Sequence, residues 1–530
     1  MSGKRRVSLD LLKSKEALTI IVWYGIVMFT SMILQTLSWT STDEIKHWTT
    51  SITVIILYTF FGLVADVFIG RYRSVTFGLW ALWIATLIVT FFFSFTAGEY
   101  TFPEWFSAVI TVIYTVMIYI GPSAFQVTAL QFGTDQLQEV PNEDLSAFIF
   151  WYFWLEMLVE TVLGSSIDYA FARSGTNNGT SYHYIQLGCL MLGAVLLSLI
   201  LATKSYFMSD WFLRDPCATS VSSRKPNKLY MNPYSQIYQV LSYARKHKHP
   251  VGRSALTYWE NKIPSRIDLG KHKYGGPFTV DEVENVKTFF HLIKLLTSLI
   301  GVFMALISIE KYSWTALIPH FTDGELNEAQ VNLIQLPCGV LIVIILLPLY
   351  KLFVYPHFQR YIPSMLKRIW IGAMLATACA ESVLLIDAIG HAVNPNVPCF
   401  LSDSDIRLRL NPYLVLVPFA LYNSSYVIFT VSLFEFIIAQ SPHPMKGLLI
   451  GLYYSIRFGI GGCFTAINRY AFNFSTSGHL ISCGTANYIM ITAISLLSLV
   501  AFTIVASKYK LRERDEVVNV HLFAEEYYTK

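Results

Sequence analysis

Long apolar runs separated by short polar turns dominate this chain. Mostly apolar stretches fall at about 17–38, 51–70, 74–97, 105–131, 145–170 and 183–207, and again at about 287–309, 329–354, 364–389, 412–440, 446–470 and 484–506. Crossing a hydrocarbon core about 30 Å thick takes a helix of roughly 20 residues. The pattern therefore predicts twelve membrane-spanning helices, an all-α membrane protein. A helix satisfies its backbone polar groups within one span, and the runs are too long for barrel strands. The first run is long and lacks a small-residue cleavage pattern, so no removable signal peptide is expected.

One long polar insert, residues 209–286, divides six spans from six. The predicted organisation is an N-terminal bundle (1–208), a linker (209–286), a C-terminal bundle (287–507) and a polar tail (508–530). Equal halves are the usual plan of carriers whose bundles rock about a site near the bilayer midplane. Within the linker, Ser235 to His249 reads as a short helix ending in Arg245, Lys246 and Lys248. It is expected either on an anionic lipid surface or as part of a solvated linker.

Composition narrows the function classes. Of 530 residues, 54% are hydrophobic and only 14% charged, too few charges to cover a soluble protein of this length. The net charge of +4 points to no nucleic-acid partner. Lys and Arg crowd the loops on one side, among them Arg71, Arg73, Lys351, Arg360, Lys367, Arg368 and Lys446, which places both termini in the cytosol. One inner loop dissents, carrying Asp135, Glu139, Glu143 and Asp144 with no basic neighbour. In the outer loops, Asn178-Gly179-Thr180 is a glycosylation acceptor, and Cys399 and Cys483 lie where a disulfide is permitted. No metal-ligand spacing, phosphate loop or dinucleotide fingerprint stands in credible context, so no cofactor, metal or enzymatic activity is expected.

Several segments together resemble the proton-dependent oligopeptide transporter (POT) family of the major facilitator superfamily. They are Gly62-Leu63-Val64-Ala65-Asp66-Val67-Phe68-Ile69-Gly70-Arg71-Tyr72-Arg73, Phe132-Gly133-Thr134-Asp135-Gln136, and Lys273-Tyr274-Gly275-Gly276-Pro277-Phe278-Thr279-Val280-Asp281-Glu282-Val283. A fourth, Phe434-Glu435-Phe436 with Ala439-Gln440-Ser441-Pro442, looks closest to the animal peptide/histidine branch. The resemblance implies two six-helix bundles around a peptide site, with proton coupling. The chain departs from the family's polar chemistry. Aligned on Gly25, the span-one Glu-x-x-Glu-Arg motif becomes Glu16-Ala17-Leu18-Thr19-Ile20, with only its first acid kept. The family's span-four Lys falls on Gln126, its span-five Asn on Glu156, its span-eight Asn or Asp on Gly339, and a small polar residue of span eleven on Arg457. Its span-ten Glu, the counter-ion for a substrate amino group, is matched to Glu435.

Ionised groups at membrane depth face partners or a wet cavity, so each is a site candidate. Glu435 is the first, as an anchor for an ammonium or a proton, against the plainer reading of a structural ion pair. Glu156 and Glu160, four apart, share a helix face, where two acids repel and one tends to hold a proton. Proton coupling through them competes with a salt bridge from Arg457 to Glu156. Arg457 could equally clamp a substrate carboxylate. Tyr24, Gln126 and Tyr453 complete the binding set, each alternatively plain packing. Glu16 is a proton candidate or an exposed helix-start acid. Asp66, Arg71 and Arg73 are expected to brace the inner gate or merely to supply inner-side positive charge.

The function expected is secondary active transport of small peptides or amino-acid-like solutes, coupled to protons, in a plasma or endolysosomal membrane. The alternatives are a carrier of another solute without protons, and a transporter-derived receptor or scaffold binding partners through 209–286 and the tail. Neither the oligomeric state nor the substrate's identity is written in the sequence.

Overall fold

The computed structural model describes residues 15–38, 44–97, 103–137, 142–164, 166–167, 179–207, 233–247, 264–309, 334, 336–358, 361–393, 410–442, 445–471, 485–509 and 511. Glycosylation candidate Asn178, Cys399, Cys483 and the tail beyond 511 lie outside these residues, as does the side chain of Glu16.

Helices occupy all twelve predicted spans. In the first half they are Lys15–Ser38, Glu44–Val67, Arg71–Ala97, Glu104–Gln136, Asn142–Met157 extended by a π turn Leu158–Gly164, and Gly179–Phe207. The second half has Val280–Ser298 with Ile300–Ser308, then Leu336–Phe358, Met365–Val393, Leu416–Gln440, a run from Lys446 to Ala471, and Thr485–Ser507. We number them spans one to twelve. Eight contain windows long and apolar enough to cross a membrane alone, and span seven does so as a pair bent by 43°. Because the helices alternate in direction, the ends of spans two and four and the starts of spans three, five and eleven share one face with the linker. We call it the linker face.

Tight turns and close backbones set the packing. Gly70, at φ 87°, takes the left-handed conformation that turns span two into span three. Spans two and eleven lie along each other and join the two halves. At their crossing, a Cβ on Gly62 would sit 2.4 Å from the Gly447 carbonyl oxygen, so only glycine allows this approach. A continuous core drawn from both halves, including Leu82, Phe125, Leu295 and Phe429, holds the bundle.

Two departures from the expected boundaries have local causes. Span seven begins at Val280, inside the segment expected to be linker, because Thr279 and Glu282 form a reciprocal capping box. The linker helix forms at Pro233–Lys246. Its Val240 packs with Phe278, Val283 and Val286 of the span-seven entry. Beside that small core, Asp268 accepts from Ser265 Oγ at 2.6 Å, meets Lys271 Nζ at 2.7 Å and pairs closely with Lys287.

Candidate functional site

A cavity of about 210 Å³ lies among spans one, two, four, five, ten and eleven. Span four contributes Gln126 and span five Glu156 and Glu160 from the first half, while Tyr426 and Arg457 come from the second. Irregular helix shapes the walls. Glu160 lies in the π turn Leu158–Gly164 and Arg457 in the π turn Ser455–Ile460, the kind of local bulge that re-aims side chains at functional sites. Pro122 in span four removes the helical donor to Ile118, and both residues line the cavity.

Arg457 is held in a fixed plane. Its guanidinium lies 4.7 Å from the centre of the Tyr426 ring and 4.6 Å from that of Phe458, and Nη1 donates to Tyr453 Oη at 3.1 Å. Stacking of this kind suits the planar guanidinium. Across the cavity, Tyr58 Oη donates to Gln126 Oε1 at 2.6 Å, and Gln126 Nε2 reaches Met28 Sδ at 3.1 Å. Glu156 is buried, whereas Glu160 is exposed. The Glu156 carboxylate lies within Coulombic reach of Tyr24, Tyr58, Tyr152, Tyr426, Tyr453 and Tyr454. Four buried hydroxyls, those of Tyr24, Tyr152, Tyr426 and Tyr454, have no hydrogen-bond partner among the described residues.

Toward the linker face, aromatic rings pack into a plug between the helices. Tyr24 stacks on Tyr152 at 3.7 Å, and Phe153 of span five stacks on Phe434 of span ten at 4.6 Å, with Tyr453 4.4 Å beyond. Below this plug, Glu435 meets Arg368 Nη2 at 2.8 Å and accepts a short hydrogen bond from Ser146 of the other half. A second bridge between halves lies nearby. Asp66 accepts from the Leu448 amide at 3.0 Å, in the first turn of span eleven, and from Gln131 Nε2 at 2.9 Å. Arg71 stands 3.4 Å from Asp66 and pairs closely with Asp135.

The sequence-derived candidates thus separate into two groups. Glu156, Glu160, Gln126 and Arg457 are gathered in the cavity, with Tyr453 behind Arg457 and Tyr24 in the plug. Glu435 does not line the cavity; the residue of its helix that does is Tyr426, nine positions earlier. That spacing is ~13 Å along a helix axis and about half a turn around it, enough to take Glu435 out of the cavity. Asp66 and Arg71 share one buried cluster near the linker face, whereas Arg73 is exposed on the same turn. The pairing with Arg71 also accounts for Asp135, which the structure places in the last turn of span four and not in the loop the sequence suggested. Tyr58, Tyr426, Ser146 and Arg368 were not singled out in the sequence.

Two lobes of six helices with a polar cavity between them are the plan of a secondary carrier of the major facilitator fold. Residues 193–472 match the POT family, and the chain belongs to it. It is a multi-pass membrane protein and a secondary active transporter. Among solved structures, an auto-inhibited POT family peptide transporter is similar at 14% identity and a TM-score of 0.55, over 98% of this chain and 99% of that one. A POT family transporter in complex with 5-aminolevulinic acid is similar at 14% identity and 0.51, over 94% and 95%. A bacterial homologue of the iron transporter ferroportin, in an outward-facing state, is similar at 12% identity and 0.54, over 93% and 100%. At these identities the likeness speaks for the shared fold.

Proposed function

We propose that this carrier moves a small peptide or amino-acid-like solute into the cytosol by alternating access, together with protons. The observation that carries this reading is the cavity itself, with two acids and a guanidinium at its walls and a gate closed toward the linker face. Arg457 supplies forked donors for a carboxylate, and the acids of span five attract an ammonium. Two neighbouring carboxylates also hold a shared proton, which takes over the coupling that span one has lost with its second Glu and its Arg. Glu435 works at the gate in place of the cavity, tying span ten to spans five and nine while the linker face is shut. In this reading the lobes are 1–208 and 287–507 and the termini face the cytosol. The host membrane is plasma or endolysosomal, and Phe434 to Pro442 support the animal peptide/histidine branch. A membrane potential adds about 2.3 kcal/mol per charge per 100 mV to such a coupled step.

Uptake of labelled dialanine into proteoliposomes, with and without an inward proton gradient, tests this. Stimulation by the gradient is expected. Uptake indifferent to pH would favour the carrier without protons, and no flux would count against transport of this solute class.

A further inference from the structure

The charges of the cavity are segregated by lobe. Both acids, Glu156 and Glu160, stand on span five of the first half, and the guanidinium, Arg457, stands on span eleven of the second. The resemblance to the family implied the reverse, with a Lys in span four of the first half and the carboxylate in span ten of the second. Here those positions hold Gln126, tied to Tyr58, and Glu435, which is engaged at the gate. We infer that a zwitterionic solute lies across the lobe interface with its ammonium toward span five and its carboxylate toward span eleven, a polarity set by Glu156, Glu160 and Arg457.

The proposal rests on the functional reading above and adds direction to it. A solute turned the other way would bring its carboxylate against two acids and its ammonium against a guanidinium, and such like-charge contacts are strongly disfavoured in a partly desolvated site. The guanidinium cannot simply swing to follow a reversed ligand, because Tyr426 and Phe458 hold its faces and Tyr453 holds one edge. The buried Tyr426 hydroxyl, which lines the same cavity, has no hydrogen-bond partner among the described residues and is available to a ligand beside Arg457. With its two ends on opposite lobes, the solute is itself the link that draws the lobes together. Loss of either charged end therefore removes one lobe from the contact.

The test is a ligand-group by side-chain cycle on the purified full-length chain, using calorimetric affinities for dialanine, its C-terminal amide and its N-acetyl derivative. Each comparison is a ratio between two ligands in one preparation, so the folded fraction cancels. In the wild type, dialanine is expected to bind about tenfold or more tighter than either derivative. Arg457→Gln should bring the preference over the amide to about one while keeping the preference over the N-acetyl compound. Glu156→Gln with Glu160→Gln should do the converse, and Arg457→Lys should retain part of the preference over the amide. The opposite pairing, or ratios unaffected by either change, would overturn the orientation and leave the transport reading intact. Failure of dialanine to bind the wild type would overturn both.

Discussion

Glu435 illustrates what a single letter conveys and what depth along a helix decides. The family motif picks out an acid in span ten, yet the carboxylate sits in a bridge with Arg368 and Ser146, and Tyr426 takes the cavity position. Removing a buried hydrogen bond to a charged group costs about 1.5–3 kcal/mol. Glu435→Gln is therefore expected to loosen the gate while leaving the cavity's ligand affinity within about twofold, since the bond lost lies outside the binding site. Spin labels at Phe68 and Tyr361, both exposed on the linker side of opposite halves, would report a longer mean separation in the variant. An unchanged separation with weaker binding would return Glu435 to the cavity. Arg457, Glu156 and Glu160 were legible in the sequence because charges are rare within apolar runs, and Gln126 because it falls where the resembled family carries a Lys. Tyr58 and Tyr426 were not, because a chain with 31 tyrosines gives no single ring any prominence.

At the scale of elements, the length of the apolar runs marked the spans, and the misplaced boundary has a plain physical origin. Asp281, Glu282 and Glu284 make the entry to span seven look like solvent-exposed linker, although acids belong in the first turn of a helix and Thr279 caps it. Thr279→Ala should cost the entry about 1 kcal/mol, seen as faster amide exchange over residues 280–284. The neighbouring turn should respond to acid. Burial raises the Asp268 carboxyl, but hydrogen bonds from Lys271, Lys287 and Ser265 outweigh that and hold it below the usual carboxylate range. A depressed carboxyl stabilises the turn at pH values above the unfolded value of about 3.9 and loses that contribution as the pH falls toward the folded one. For Lys271, burial lowers the ammonium, and hydrogen bonds to Asp268 and Glu284 raise it by more. Its contribution is thus complete below the unfolded value of about 10.4 and fades as the pH rises through the folded one. Exchange over residues 265–278 should accelerate below about pH 4 in the wild type, and Asp268→Asn should weaken that acid dependence. The part left is due to Glu284, whose burial the same lysines outweigh, holding it below the usual carboxylate range. Identical pH profiles in the two proteins would contradict this assignment.

Across the whole molecule, the two-lobed plan followed from counting apolar runs and locating one long polar insert. What counting could not reveal was the contact surface between the lobes, because it depends on side chains meeting from residues hundreds of positions apart. Gly62 against Gly447, Asp66 against the Leu448 amide and Phe153 against Phe434 form that surface. A methyl group at position 62 should hold spans two and eleven apart. Gly62→Ala is expected to slow dialanine exchange across vesicles by about tenfold or more, with equilibrium affinity less affected. The claim on which the account turns is that the acids of span five carry the coupled proton. Vesicles loaded with a pH-sensitive dye and given external dialanine measure this directly, as interior acidification per dialanine taken up. The account predicts acidification in the wild type and its loss in Glu160→Gln, where the carboxylate pair is broken. The same ratio of protons to dialanine in both proteins would contradict it.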